Sequence, residues 1–246
     1  NKDMNNQKNS KRYVAHFDML GMTSAIRRNS GEAWGALRNL RQSEKNVVNN
    51  YRIKLPNSDA FVDNRAYYKR FSDTIILFTL DDQIEDLYAI LFKSALLFCE
   101  SLKKCVPLRG GIAYGEFFIN FDLDMFLGKA LIDAHDLGET AQWLGVVIDD
   151  AIYQKGNLIP DHQNQPLMVK WDLPIKSDKE IKKEIKSVLN WPASFRPTVA
   201  LPVSKEDFYT PFEKLFGSFE KLPINIQGKY KNTVDFMNYQ LTVNAI

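Results

Sequence analysis

An apolar stretch near the N-terminus decides the fold, and it reads YVAHFDMLG over residues 13–21. Its β-favouring residues predict a strand that stops at Gly21. One carboxylate, Asp18, interrupts the apolar pattern near the end of this strand. Because a carboxylate is expensive to desolvate unless it is paired or binds a cation, Asp18 is the first candidate functional residue.

A second β-rich stretch reads YYKRFSDTIILF over residues 67–78 and also carries one aspartate, Asp73. The pattern predicts two strands, over residues 65–71 and 74–80, joined as a hairpin with Asp73 at its tip. If this hairpin neighbours the first strand, Asp73 lies beside Asp18. Carboxylates from two strands are hard oxygen ligands, which suit Mg²⁺ or Mn²⁺. The two aspartates are therefore the candidate metal ligands.

Helices and strands alternate over the rest of the first 150 residues. Apolar spacing predicts helices over residues 22–53 (broken near Ser30), 83–104 and 128–142, and strands over 108–120 and 143–148. This order predicts an α+β fold, a ferredoxin-like antiparallel sheet with helices packed on one face. We expect a core over residues 11–150, preceded by a polar arm over 1–10. Residues 151–246 are expected to form a C-terminal appendage packed on the core, with a strand over 167–171 and a helix over 178–189.

Composition excludes several classes of protein. The chain has 246 residues, of which 45% are hydrophobic, and a net charge of +2, so no overall field favours a nucleic-acid polymer or an anionic membrane. The longest apolar stretch, from Leu87 to Phe98, is too short to span a bilayer. Two cysteines and the lack of a signal peptide indicate a reduced, cytoplasmic setting. No Cys/His cluster has zinc spacing, and no Walker, dinucleotide or nucleophile-elbow motif occurs.

The aspartate pair suits phosphoryl or nucleotidyl transfer. When two carboxylates share two cations, one cation lowers the pKa of an attacking hydroxyl and the other neutralises the leaving pyrophosphate. Backbone N–H groups between Met19 and Thr23, where the strand turns into a helix, can receive phosphates. The alternative is structural, because an aspartate at a strand end is commonly a cap or turn residue.

Four motifs, in order and spacing, resemble the core of class III nucleotide cyclases. These motifs are Phe17–Gly21, Arg70–Ile75, Leu108–Gly115 and Gly128–Leu131. The amino-acid sequences of these motifs most resemble those of the bacterial pyrimidine cyclases of the Pycsar anti-phage systems, and the resemblance covers about residues 11–150. It implies that Asp18 and Asp73 bind two Mn²⁺ or Mg²⁺ ions, with the Met19 carbonyl as a third ligand. The residues implied to contact the triphosphate are Phe17, Leu20, Gly21 and Met22.

The resemblance also implies a reaction. The ribose 3′-hydroxyl of UTP or CTP attacks the α-phosphate and gives a 3′,5′-cyclic nucleotide and pyrophosphate. The cyclic product would be a second messenger for a separate effector in anti-phage defence. Such enzymes act as head-to-tail homodimers with composite sites, so a chain with one copy of the core would have to dimerise.

One departure from the family pattern concerns the helix after Gly128. Purine cyclases carry an Asn and an Arg there, which hold the ribose and the transition-state charge, whereas this chain carries Ile132 and Asp136. The candidate replacement cations are Lys69, Arg70, Arg109 and Lys129.

Base recognition is the second point at which the family pattern matters. Purine cyclases read the base with a lysine four residues before the second metal aspartate, here Lys69, and with a residue just before the helix glycine, near Asp124 or Met125. Arg65, Tyr67 and Lys69 alternate along one strand and can share one face. The choice between UTP and CTP stays open. So do a purine or diguanylate-type cyclase and a catalytically inactive nucleotide-binding module.

Overall fold

The computed structural model describes most of the chain, namely residues 11–49, 53–54, 61–62, 65–156, 159, 165–177, 180–195 and 201–243. The arm predicted over residues 1–10 lies outside this part. In chain order the strands and helices are β1 (Lys11–Met19), α1 (Met22–Arg28), α2 (Ser30–Asn49), β2 (Ile53–Lys54), β3 (Phe61–Val62), β4 (Ala66–Phe71), β5 (Thr74–Thr79), α3 (Ile84–Lys103), β6 (Leu108–Glu116), β7 (Phe118–Asn120), β8 (Met125–Leu127), α4 (Lys129–Thr140), β9 (Val146–Ile148), α5 (Asp150–Gly156), β10 (Met168–Lys176), β11 (Ile181–Leu189), α6 (Lys205–Tyr209), α7 (Glu213–Phe216) and α8 (Ile224–Val243).

Seven of these strands form one sheet in the order β10-β11-β9-β6-β1-β5-β4. Neighbouring strands are antiparallel except for β6 and β9, which run parallel. The predicted α+β class, with a mostly antiparallel sheet and packed helices, is confirmed. The hairpin of β4 and β5 lies directly beside β1.

β1 lies inside the sheet and packs on both of its faces. Tyr13, Ala15 and Phe17 belong to the main core, whereas Val14 packs with Phe78 in a smaller apolar cluster next to α4 and the β7–β8 hairpin. The period of two in a strand explains this division. Burying one phenylalanine contributes about 1.5–3 kcal/mol, so a slip of one residue in this strand would be costly and the register is well determined.

α3 fills much of the main core. It begins at a capping box in which Gln83 and Asp86 each accept a hydrogen bond from the other's backbone. Its one buried lysine, Lys93, donates to the Val48 carbonyl at 2.5 Å, near the end of α2. Burial lowers the pKa of Lys93 to about 8. No helix in the described part of the chain is both long and apolar enough to cross a bilayer.

The C-terminal part of the chain extends the same sheet. β10 and β11 form a long antiparallel hairpin, and β11 joins the sheet through β9, with Val188 opposite Val147. The helix predicted over residues 178–189 is therefore wrong, since Ile181–Leu189 is a strand. Lys and Glu favour a helix locally, but nine consecutive cross-strand pairs with β10 outweigh that preference. Residues 178–179 lie outside the described part.

Candidate active site

The two aspartates come from neighbouring segments of the sheet. Asp18 is the second-last residue of β1, and its Cα partner across the sheet is Thr74 at the start of β5. The Met19 N–H donates to the Asp73 carbonyl at 3.1 Å, so the turn that carries Asp73 is bonded to the end of β1. Both side chains reach solvent, since Asp18 is 31% exposed and Asp73 is exposed.

Asp18 is paired with an arginine from the next strand. Arg109 on β6 donates to its Oδ2 atom from Nε at 3.3 Å and from Nη2 at 3.1 Å. The same guanidinium contacts the Glu139 carboxylate and donates to the Glu139 carbonyl at 3.3 Å, at the end of α4. Arg109 therefore bridges the candidate metal ligand and α4 through charge-assisted hydrogen bonds.

Asp73 lines a different concavity. A cavity of about 710 Å³ lies between α1, α2 and the β4–β5 turn, and Met22, Thr23 and Arg70 share its lining with Asp73. Asp18 is not part of this lining and borders instead a narrow cleft against α4. The structure thus brings the two backbones together, while each carboxylate faces its own side of the turn.

Arg70, a predicted nucleotide contact, is held by a buried carboxylate. Its Nη1 lies 2.8 Å from Glu44 Oε1, and Arg41 lies 3.0 Å from the other oxygen of the same carboxylate. Glu44 is 1% exposed. A buried charge without a partner is strongly destabilising, so the structure gives Arg70 a structural role.

The turn from β1 into α1 limits which groups can contact phosphate. The Phe17 ring is fully buried in the main core, so only the backbone of this predicted contact can reach a ligand. The Met19 and Leu20 N–H groups already donate to the Asp73 and Pro107 carbonyls. Gly21 adopts a φ of 73°, a conformation that favours glycine, and α1 begins directly after it.

The predicted base-reading residues Lys69 and Asp124 do come together. Lys69 Nζ lies 2.5 Å from Asp124 Oδ1 and 5.1 Å from the centroid of the Phe126 ring. Tyr67 lies on the same side, where its ring stacks on Phe78 at 6.0 Å between centroids. A cation and a carboxylate therefore stand side by side between β4 and the β7–β8 hairpin.

Two other predicted nucleotide contacts lie elsewhere. Arg65 pairs with Asp86 at 3.1 Å, at the opposite end of β4 from Asp73. Six strand residues separate the two ends by roughly 20 Å. Lys129 is exposed and pairs with Asp133 one helical turn further along α4, at 2.5 Å.

The α4 positions that differ from purine cyclases face solvent, since Ile132 and Asp136 are both exposed. Sequence reasoning missed Glu139 and a second residue close to Asp18, Lys229 on α8. Lys229 is buried, and Asp18, Arg109 and Glu139 all act on it electrostatically. No motif marks either residue, because each reaches the site through long-range packing.

The donor set fits a hard cation. Among the described residues no three His, Cys, Asp or Glu side chains cluster as a metal site. Asp18 and Asp73 lie on backbone segments that the Met19–Asp73 hydrogen bond joins, although their side chains line separate concavities. Mg²⁺ typically takes one or two carboxylates and completes its shell with water and substrate phosphates. The residues present therefore suit Mg²⁺ or Mn²⁺.

Comparisons with known proteins identify the fold. No protein-family model and no curated protein matches the sequence. Among solved structures, the catalytic core of a rhodopsin-guanylyl cyclase with converted specificity, in complex with ATPαS, is 15% identical with a TM-score of 0.52, and the match covers 74% of this chain and 97% of that one. A class III adenylyl cyclase-like ATP-binding protein from Pseudomonas aeruginosa is 11% identical with a TM-score of 0.45, over 61% of this chain and 36% of that one. The chain therefore has the fold of a class III nucleotide cyclase catalytic core.

Proposed function

We propose that the chain is a metal-dependent nucleotide cyclase that converts UTP or CTP into the 3′,5′-cyclic nucleotide and pyrophosphate. One observation carries the proposal: Asp18, at the end of β1 before the turn into α1, and Asp73, in the β4–β5 turn, stand on neighbouring segments joined by a hydrogen bond. The four sequence motifs and the cyclase fold agree with this assignment.

In the proposed reaction the ribose 3′-oxygen attacks the α-phosphorus, the bond to the β-phosphate breaks, and the hydroxyl proton leaves to solvent. Bound Mg²⁺ or Mn²⁺ would supply a lowered pKa for the attacking hydroxyl and positive charge at the pyrophosphate. Asp18, Asp73 and the Met19 carbonyl would hold the ions. Arg109 orients the Asp18 carboxylate through two hydrogen bonds, and its guanidinium would add positive charge beside the phosphates.

The pair of Lys69 and Asp124 supports base recognition at β4 and the β7–β8 hairpin. Lys69 can donate to an acceptor on the base, and Asp124 can accept from a neighbouring N–H. The Watson–Crick edge of uracil or cytosine offers such a pair of groups, and so does that of a purine. Preference for a pyrimidine rests on the likeness of the motifs to the Pycsar cyclases, as does a role in anti-phage signalling through a separate effector.

We infer a homodimer with composite sites, and the exposed apolar side chains beside this site support it. Large apolar side chains at Leu123, Met125, Leu127 and Ile132 are each between 48% and 67% exposed. Exposed large apolar side chains, here on the β7–β8 hairpin and α4, are typical of a protein interface. The partner that covers it would be a second copy of the chain.

Product analysis tests the proposed activity. The purified chain is incubated with Mn²⁺ and each of UTP, CTP, ATP and GTP, and cyclic nucleotide and pyrophosphate are measured. We expect cyclic UMP or cyclic CMP to dominate, and Asp73→Asn to abolish turnover while the circular dichroism spectrum is unchanged. Dominance of a cyclic purine nucleotide would overturn the pyrimidine assignment, and the absence of any cyclic product would overturn the cyclase assignment.

A second candidate function is a nucleotide-binding module without turnover. The specific observation in its favour is that α4 presents Ile132 and Asp136 at the places where purine cyclases carry a ribose-binding and a transition-state residue. Calorimetry distinguishes the two functions, because binding of a triphosphate without release of pyrophosphate supports the module.

A further inference from the structure

Lys229 on α8 is a buried cation that its own surroundings do not explain. It is 9% exposed and lines a cavity of about 190 Å³ whose wall is mostly apolar and includes Leu20, Gly21 and Ser24 at the turn into α1. In the described part of the chain its ammonium group makes no ion pair and no hydrogen bond. Burying a charge without a partner is costly, so such a group points to a ligand that enters the cavity.

The position of Lys229 is fixed by the docking of α8 rather than by its own head group. Thr233, one helical turn later, accepts a hydrogen bond from the Leu144 N–H at 2.8 Å. Asn232 donates to the Gln142 carbonyl at 2.7 Å. These bonds clamp α8 to the loop after α4, and Leu144 itself lines the same cavity. The docking of α8 thereby places Lys229 in the wall of the cavity that the turn into α1 also lines.

The charges around Lys229 belong to the candidate active site. Burial and the positive charge of Arg109 lower its pKa, while Glu139 and Asp18 act in the opposite direction. Lys176 on β10 adds a further positive charge. Lys229 is the one cation among the described residues that line the cavity, and Arg109 and Lys176 add positive potential from outside the lining, which favours a polyphosphate over a singly charged group.

We propose that Lys229 contacts the triphosphate of the substrate, in the same chain that supplies Asp18 and Asp73. The C-terminal segment then completes the phosphate site in cis and supplies a cation that the α4 positions Ile132 and Asp136 do not. This inference rests on the proposed function. Lys229 lies on α8 and lines the same cavity as the turn into α1, which is the predicted phosphate contact. We therefore assign it to the β- and γ-phosphates and not to the base.

The test compares Lys229→Met and Lys229→Arg with a matched control, Lys231→Met. Lys231 lies two residues away on the same helix and is exposed, so its substitution removes the same charge outside the cavity. Calorimetry measures binding of the preferred nucleoside triphosphate and monophosphate, and steady-state kinetics measures kcat and KM. Thermal unfolding checks that each variant is folded, and Lys229→Met removes an unpaired buried charge, so it should be at least as stable as the parent chain.

We expect Lys229→Met to weaken triphosphate binding by about ten- to a hundredfold, the range for loss of one charge-assisted hydrogen bond. Monophosphate binding should change by less than about twofold, Lys229→Arg should recover most of the triphosphate affinity, and Lys231→Met should match the parent chain. Equal losses for monophosphate and triphosphate, or no loss for either, would overturn the role of Lys229 while leaving the cyclase assignment intact. A parent chain that binds no triphosphate would overturn both.

Discussion

The substitution of Arg70 distinguishes a structural role from the predicted contact with the nucleotide. Its guanidinium pairs with Glu44, which is 1% exposed, and it also lines the cavity that Asp73 borders. Arg41, the other partner of Glu44, is 42% exposed at its side chain, whereas Arg70 is only 12% exposed. Arg70 therefore supplies most of the charge compensation that Glu44 needs.

The substitution Arg70→Met leaves a buried carboxylate with one solvent-exposed partner. Breaking a buried pair costs about 3–5 kcal/mol, and because Arg41 keeps part of the pairing we expect a loss of about 2–4 kcal/mol in the free energy of unfolding. Arg41→Met serves as the control and should lose only about 0.2–1 kcal/mol, since that side chain is largely in water. For a chain of this size, 3 kcal/mol corresponds to a drop in Tm of roughly 6–12 °C.

Urea denaturation followed by circular dichroism measures these losses. The double variant Glu44→Gln/Arg70→Met removes both charges, so it should regain most of the stability and also the cyclase activity. Two results would refute the reasoning: a loss below about 1 kcal/mol for Arg70→Met, or a double variant that regains stability but stays inactive. The second result would return Arg70 to the substrate site.

Three further outcomes are expected. Lys69→Met should raise the KM for the preferred nucleotide by about ten- to a hundredfold. The Tm should stay within about 2 °C of that of the parent chain, because the ion pair with Asp124 is exposed. Equal KM values for the variant and the parent chain would contradict base recognition by Lys69. Burial lowers the pKa of Lys93 to about 8 in the folded chain, from an ordinary value of 10.5 that we assign to the unfolded chain. Between these two values the unfolded state binds more protons than the folded state, so the free energy of unfolding should rise from pH 8 to pH 10. Lys93→Met should reduce that rise in stability with pH, as measured by urea titrations. If the stability of the variant rises with pH as steeply as that of the parent chain, other groups cause the rise. Leu127→Asp should shift the chain from dimer to monomer in sedimentation and reduce turnover together with it, and an unchanged sedimentation coefficient would exclude the β7–β8 hairpin from the interface.

Local pattern sufficed for the part of the fold that holds the aspartates. The alternation in β1 and the tight hairpin of β4 and β5 are short-range features, and the position of Asp73 at the hairpin tip follows from them. Lys69 and Asp124 lie 55 positions apart and form an ion pair. The resemblance to a known family named both residues as base readers, but neither it nor periodicity predicted that they pair.

Long-range partners decide what the local pattern does not. The charged stretch at 181–189 becomes a strand because β10 pairs along its whole length. Arg70 and Arg65 are held by Glu44 and Asp86, two carboxylates that the sequence does not connect with them. Neither side chain could be placed without knowing which helices cover the sheet.

The position of β9 between β6 and β11 has a practical consequence for work on fragments. A chain cut after residue 150 would leave the backbone of Val147 unpaired along one edge of the sheet. It would also uncover the Trp143 ring, which packs on Phe236 of α8 at 5.1 Å between centroids. Exposed strand edges and aromatic surface drive aggregation. Failure of such a truncated protein to express or turn over would therefore report its solubility and say nothing about its chemistry.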